Sequence, residues 1–277
     1  DGLLGLAVKI AADPGTTVVT SDGAYPTFNF HVAAQGARLV KIPFRDDRED
    51  LEALLTAATR ERARVLYVSN PNNPMGSWWS AADLAQLIDG LPDGLLLLLD
   101  EAYCDTAPAG SIPPIDVANP QVLRLRTLSK AYGLAGARIG YAVGEMSLIS
   151  NFNKIRNHYG INRTGQIGAL AALQDQAYLT SAVERIDRAR RRLSEIAETN
   201  GLKPLPSATN FVAIDCGQDG SFAKAVLDAL LQRDVFARKP MAPGLDRCIR
   251  VSCGLDDELE VFAEVLPLAL AAAHQSK

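Results

Sequence analysis

Leu95-Leu96-Leu97-Leu98-Leu99-Asp100-Glu101-Ala102-Tyr103 sets five leucines in a row against an acid. The apolar run is far too short to span a bilayer. Its length and continuity fit a strand buried on both faces of a parallel sheet. Asp100, at the end of that strand, is costly to place without a purpose or a partner.

Upstream, strands and helices alternate. Leu3–Ala12 has helical apolar spacing and stops at Asp13-Pro14-Gly15. Thr16–Thr20, Ala37–Ile42 and Arg64–Ser69 read as strands. Tyr25–Gln35, Asp50–Thr59 and Ser80–Ile88 read as helices, the last with Ser80 as N-cap. Downstream, strands are expected at Val122–Leu125 and Ile139–Val143. The alternation predicts an α/β fold whose mostly parallel sheet is sandwiched by helices. After Met146 the character changes. Helical stretches at Ser147–Arg156 and Thr164–Asn200, the second broken at least once, lead to a strand at Asn210–Ile214. A helix at Phe222–Arg233, a strand at Cys248–Ser252 and a helix at Asp256–Ala273 complete a smaller C-terminal α+β domain. The expected division is a large domain over residues 1–155 and a small one over 156–277, joined by long helices.

The 277 residues carry a net charge of −4, which together with the lack of a long basic run argues against nucleic acid as a partner. The arginine clusters Arg60–Arg64 and Arg188–Arg192 read as solvated faces. Cys104, Cys216, Cys248 and Cys253 show no C-x-x-C spacing, and His31, His158 and His274 are scattered, so no metal site is expected. The cysteines read as small apolar fillers in a reducing, cytoplasmic setting. No signal peptide or membrane span is visible. The chain opens at Asp1, immediately before a helix, and an N-terminal segment preceding it is expected.

Three groups fall at the carboxyl ends of expected strands, the edge where open α/β sheets bind ligands. They are Asn70–Gly76, Asp100–Tyr103 and Thr127-Leu128-Ser129-Lys130, with Arg138 eight residues further on. A lysine amine forms a Schiff base with a carbonyl. A carboxylate holds a pyridine nitrogen protonated. Hydroxyls and an arginine suit a phosphate dianion, and a phenol and an amide suit a ring oxygen. Together these match the needs of pyridoxal 5'-phosphate.

Ser69-Asn70-Pro71-Asn72-Asn73-Pro74-Met75-Gly76, Asp100-Glu101-Ala102-Tyr103 and Thr127–Gly140 resemble the fold-type I, class I/II aminotransferases, in particular the histidinol-phosphate aminotransferase-like branch. The resemblance runs from Asp1 to about Leu268. It implies a seven-stranded-type sheet and a homodimer. It implies that Lys130 carries the cofactor and that Asp100 partners the pyridinium; these are the expected catalytic pair. Tyr103 and Asn73 match the groups on the ring hydroxyl, and Tyr25 matches the aromatic stacked on the ring. Thr127, Ser129 and Arg138 match phosphate ligands, and Asp1-Gly2 a remnant of the phosphate loop at a helix N-terminus. Arg250 matches the arginine that receives the substrate's anionic group, and Asn210 the asparagine before the small-domain strand.

Some positions depart from the pattern. Gly2 stands where the family usually has Glu, Met75 replaces the usual Thr, and Asn157–Arg163 differs from the typical histidinol-phosphate segment. The implied reaction is transamination between an amino donor, an amino acid or amino-phosphate compound, and a 2-oxo acid. A decarboxylase or other lyase on the same fold, or a non-catalytic pyridoxal-phosphate-binding regulatory domain, would use the same cofactor residues and stays open at this point.

Overall fold

The computed structural model describes residues 1–275. Six strands form one sheet: β1 (Thr17–Ser21), β2 (Arg38–Ile42), β3 (Val65–Ser69), β4 (Leu96–Asp100), β5 (Val122–Thr127) and β6 (Gly140–Val143). Their order is β2-β1-β3-β4-β5-β6, parallel throughout except for β6, which runs antiparallel to β5. The sheet therefore has six strands among the described residues, where seven were expected. The buried apolar runs up to Val143 already serve these six, and the seventh came with the family resemblance, not with any residues.

Period-two alternation explains the double burial. Val65, Tyr67, Leu96 and Leu98 pack with helices α1 (Gly2–Ala11) and α2 (Pro26–Ala34) and with Phe152 of α5 (Met146–Ile155). Leu66, Val68, Leu97 and Leu99 pack on the opposite face with α3 (Leu51–Arg60) and α4 (Ala81–Asp89). The all-leucine run thus feeds two cores at once. Helix starts are chemically marked. Asp50 caps α3 through the Ala53 amide, and Ser80 and Asp83 form a reciprocal capping box on α4.

The second half holds α6 (Arg163–Gln174), α7 (Gln176–Thr199), α8 (Gly220–Leu231) and α9 (Asp256–Gln275) around a three-stranded antiparallel sheet. That sheet is β7 (Lys203–Pro204), β8 (Phe211–Asp215) and β9 (Cys248–Ser252). Residues from Ala189 to Ala273 form their own core, with Leu193, Val226, Ile249 and Leu266 fully enclosed. The break expected within Thr164–Asn200 falls at Asp175, which ends α6 and caps α7 through the Tyr178 amide. The two-residue β7 went unread because Lys203-Pro204 carries no strand pattern.

The halves meet beside the Asn70–Gly76 loop. Gly76 has φ +80°, and its carbonyl accepts from the Ala208 amide at 2.9 Å. A Cβ there would lie 2.5 Å from Ser207 Oγ. Gly76→Ala is expected to lose about 2–4 kcal/mol, from left-handed backbone strain and overpacking together. Gly110 also has positive φ, but nothing crowds its Cβ position; Gly110→Ala should lose only about 1–2 kcal/mol. Denaturant unfolding of both variants checks the difference.

Candidate active site

Strand order reverses between β1 and β3, and the loops after those strands flank the switch point at the carboxyl edge. Tyr25 follows β1 and Asn73 follows β3. Asp100 ends the next strand, β4. Its Oδ1 accepts from the Ala102 amide at 3.0 Å, and its Oδ2 accepts from the Tyr67 hydroxyl at 2.7 Å. Burial pushes the Asp100 carboxyl above its ordinary range, while Tyr67, Ala102 and the Lys130 ammonium pull it back.

Lys130 lies just beyond β5, half-buried, with Nζ 5.0 Å from the centroid of the Tyr103 ring. Its Nζ makes no hydrogen bond or ion pair with any described residue, while its carbonyl accepts from the Gly133 amide. Tyr103 is 5% exposed and meets Phe211 edge-on, with ring centroids 5.6 Å apart. Thr127 Oγ1 and Ser129 Oγ lie 2.9 Å apart, and the Ser129 amide donates to Thr127 Oγ1. Arg138, exposed and in the left-handed region at φ 60°, approaches the Asp1 carboxylate at 3.6 Å. The other oxygen of Asp1 accepts from Tyr25 Oη at 2.8 Å. Asp1 and Gly2 begin α1 there, so its free amides open onto the same corner.

Arg250 reaches this edge from the small sheet. On β9, opposite Ala213, it donates to Asn73 Oδ1 and stacks its guanidinium 4.7 Å from the centroid of Phe211. No carboxylate pairs with it among the described residues, and burial lowers its pKa. Arg247, three residues away, is held by Asp47 and Asp215. Asn210 precedes β8 and is fixed by its carbonyl, which accepts from the Cys253 amide at 2.8 Å; no side-chain bond draws it to the others.

This donor set fits pyridoxal 5'-phosphate. An amine free of ionic partners and a carboxylate with only neutral hydrogen-bond donors sit on one edge. Hydroxyls, an arginine and a helix N-terminus gather at one corner of it. The sequence profile of the family described as "Aminotransferase class I and II" matches residues 1–266. The chain belongs to that family. It is 51% identical to the crystal structure of histidinol-phosphate aminotransferase from Sinorhizobium meliloti in complex with pyridoxal-5'-phosphate. That match has a TM-score of 0.96 and covers 97% of this chain and 74% of the other. It is 33% identical to the histidinol-phosphate aminotransferase of Geobacillus sp. (strain WCH70), over 96% of this chain and 73% of that protein. It is 35% identical to histidinol-phosphate aminotransferase 2 of Pseudomonas aeruginosa, over 97% and 73%. The protein is a pyridoxal-phosphate-dependent enzyme that transfers amino groups.

Four residues of this aminotransferase were not foreseen from sequence. Tyr67 reads as one more strand residue, yet its hydroxyl reaches Asp100. Glu101 is fully buried and paired with both Arg124 and Arg126. Arg190 departs from the solvated-face expectation: its guanidinium donates to the carbonyls of Thr106 and Thr209, tying α7 to the loop after Tyr103. The usable signal was its position in the amphipathic face of α7, one residue after buried Ala189. Arg191 and Arg192 do form surface ion pairs, with Asp187 and Glu260.

Glu49 is the fourth. It is 1% exposed behind β3, with Oε2 accepting from the Ser69 amide at 3.1 Å and Oε1 without a partner in the structure. Burial pushes its carboxyl up to about 8. The folded protein thus keeps a proton that the unfolded chain releases in the ordinary carboxylate range. This group's contribution to stability falls as pH rises from that range to about 8, then levels off. Glu49→Gln, neutral at every pH, is expected to unfold at a higher temperature than wild type. The gap should widen from pH 5 to pH 8, reaching several degrees, on the order of a few kcal/mol. Calorimetric scans across that range check the slope, and a constant gap would assign the buried group no proton.

Proposed function

We propose that this aminotransferase acts on an anionic amino donor, an amino acid or amino-phosphate compound, with a 2-oxo acid as acceptor. Histidinol phosphate, named in the relatives' descriptions, belongs to that class. The observation that carries the reading is Lys130, half-buried and without ionic partners among the described residues, on the same sheet edge as Asp100.

The cofactor, when bound, supplies an electron sink for bond breaking at the substrate Cα. Lys130 holds it through its amine and, once released, carries the proton at Cα as base and then as acid. Asp100 keeps the ring nitrogen protonated by presenting a negative charge where positive charge must stay. Tyr103 and Asn73 hold the ring oxygen, and Tyr25 covers the ring face. Thr127, Ser129, Arg138 and the start of α1 at Asp1-Gly2 hold the phosphate. Arg250 receives the substrate's anionic group, and Asn210, at the head of β8, faces the substrate in this reading.

We read residues 1–155 as the cofactor-binding domain and 156–277 as the small domain. Helix α6 bridges the two, touching the turn at Ala135–Ala137 and the adjoining helix α7. The working unit in this reading is a homodimer. Ile161, Ile167, Leu170 and Tyr178, on and around α6, expose an apolar band that a second copy would cover. All four cysteines are free, which supports a reducing, cytoplasmic setting.

Borohydride treatment of the loaded enzyme, followed by peptide mass mapping, is expected to leave the cofactor on Lys130; a label on another lysine would reassign the site. Arg250→Ala should keep the cofactor's absorbance and the fold. It should lower kcat/KM for anionic donors by about 2–5 kcal/mol, roughly 30- to several-thousand-fold. Equal losses for neutral and anionic donors would make Arg250 a structural residue.

A further inference from the structure

Tyr67 is fully buried in β3, and its ring lies parallel to that of Phe28, with centroids 4.1 Å apart and planes 12° apart. Ser69 is the direct cross-strand partner of Asp100, so Tyr67, two residues back, lies diagonal to Asp100 on the same sheet face. Its hydroxyl donates to Asp100 Oδ2 at 2.7 Å. A buried phenol needs such an acceptor, and a carboxylate leaving solvent needs such a donor.

We propose that Tyr67 is a positioning residue for the transamination chemistry: its phenol fixes Asp100 Oδ2 and favours the ionised carboxylate that faces the cofactor ring. The inference rests on the role proposed for Asp100. The geometry gives each partner one job. The Ala102 amide holds Oδ1, the Tyr67 hydroxyl holds Oδ2, and the carboxylate cannot rotate without breaking both bonds. Each oxygen keeps a lone pair for a further donor. Tyr67 itself is clamped by Phe28 and by the apolar layer of Val65, Leu96 and Leu98. Its donation is neutral, so it steadies the negative charge without cancelling it, as an arginine would. Burial holds the Tyr67 phenol well above its ordinary pKa, so it remains a donor across the working range.

The other ionisable side chains facing Asp100 are Lys130 after β5 and Glu49 before α3. Tyr25, at the start of α2, faces Tyr67. Lys130 favours the ionised carboxylate and Glu49 opposes it; neither is changed by altering Tyr67.

Tyr67→Phe keeps the ring and its stack and deletes only the donor. Two readouts are decisive. In the cofactor-free protein, carbon-13 carboxyl titration, with the Asp100 signal assigned by Asp100→Asn, should move up by about one pH unit or more. In the loaded enzyme, kcat should fall about tenfold at neutral pH with KM little changed. The acid limb of the kcat profile should move to higher pH in step. Unchanged titration and an unchanged acid limb would overturn the proposal. Phe28→Leu serves as the packing control: it should lower thermal stability while leaving the Asp100 titration near wild type. If Phe28→Leu moved the titration and kcat as far as Tyr67→Phe, loosened packing would be the cause and the proposal would fail. Asp100→Asn separates the two levels: full activity there would remove the role assigned to Asp100, whereas the cofactor-free titration still reports on Tyr67 alone.

Discussion

The structure is organised around one carboxylate held at the end of a strand that water does not reach. Leu96–Leu99 face two helical layers, so the strand has no solvated side along most of its length. Asp100 is where that strand arrives at the sheet edge. Asp100 is itself part-buried, and its charge is steadied there by groups held around it. The neighbouring strands supply them: an aromatic hydroxyl from β3, an amide from the turn after β4, and an ammonium from the loop after β5. Parallel register brings all three to one level of the edge.

The small domain completes that edge. Gly76 takes the Ala208 amide, Thr106 Oγ1 donates to the Ala208 carbonyl at 2.7 Å, and Arg190 gathers the carbonyls of Thr106 and Thr209. These bonds lie next to Asn210-Phe211, the entry to β8, so they set where β8 and its partner β9 stand relative to Tyr103 and Asn73. Arg250 projects from β9 onto Asn73 as a result, while Arg247, just outside the strand, is tied down by Asp47 and Asp215. Two arginines three residues apart therefore have different fates, one paired with two carboxylates and one with an amide oxygen and an aromatic face.

The strands and helices up to Val143 were legible to within a few residues, because hydrophobic periodicity and capping residues are local signals. Lys130, Asp100, Tyr103 and Asn73, whose roles are part of the proposal, were legible in their placement on one sheet edge because each sits at a strand end inside a distinctive run. Tyr67 and Glu49 were not. A tyrosine in a buried strand looks like core, and only the diagonal registry of β3 against β4 shows where its hydroxyl goes. Glu49 looks like a loop acid beside Asp50, which does cap α3, and one position decides between exposure and burial. Arg190 was hidden by its neighbours: a run of arginines reads as one solvated face, but helical periodicity turns one member of it inward. The strand count is a different case: the seven-stranded type came with the resemblance, and six strands stand among the described residues.

Adjacent acids at the edge show how the fold allots charge. Asp100 and Glu101 are neighbours in sequence, yet Glu101 turns to Arg124 and Arg126 of β5, its carboxylate fully enclosed by the pair. Arg124 also donates to the carbonyls of Pro113 and Pro114, so this ionic group anchors the loop beneath the edge. Asp100 has no guanidinium near it; its donors are a phenol and an amide. Had Arg124 or Arg126 faced Asp100, its negative charge would be tied up in a structural ion pair. A carboxylate given only neutral hydrogen bonds keeps its field for the next cation to arrive, at the cost of a raised pKa that Lys130 and Tyr67 partly offset. Asp100 and Glu101 are therefore distinguished by what β3 and β5 present to each: a tyrosine on one side, two arginines on the other.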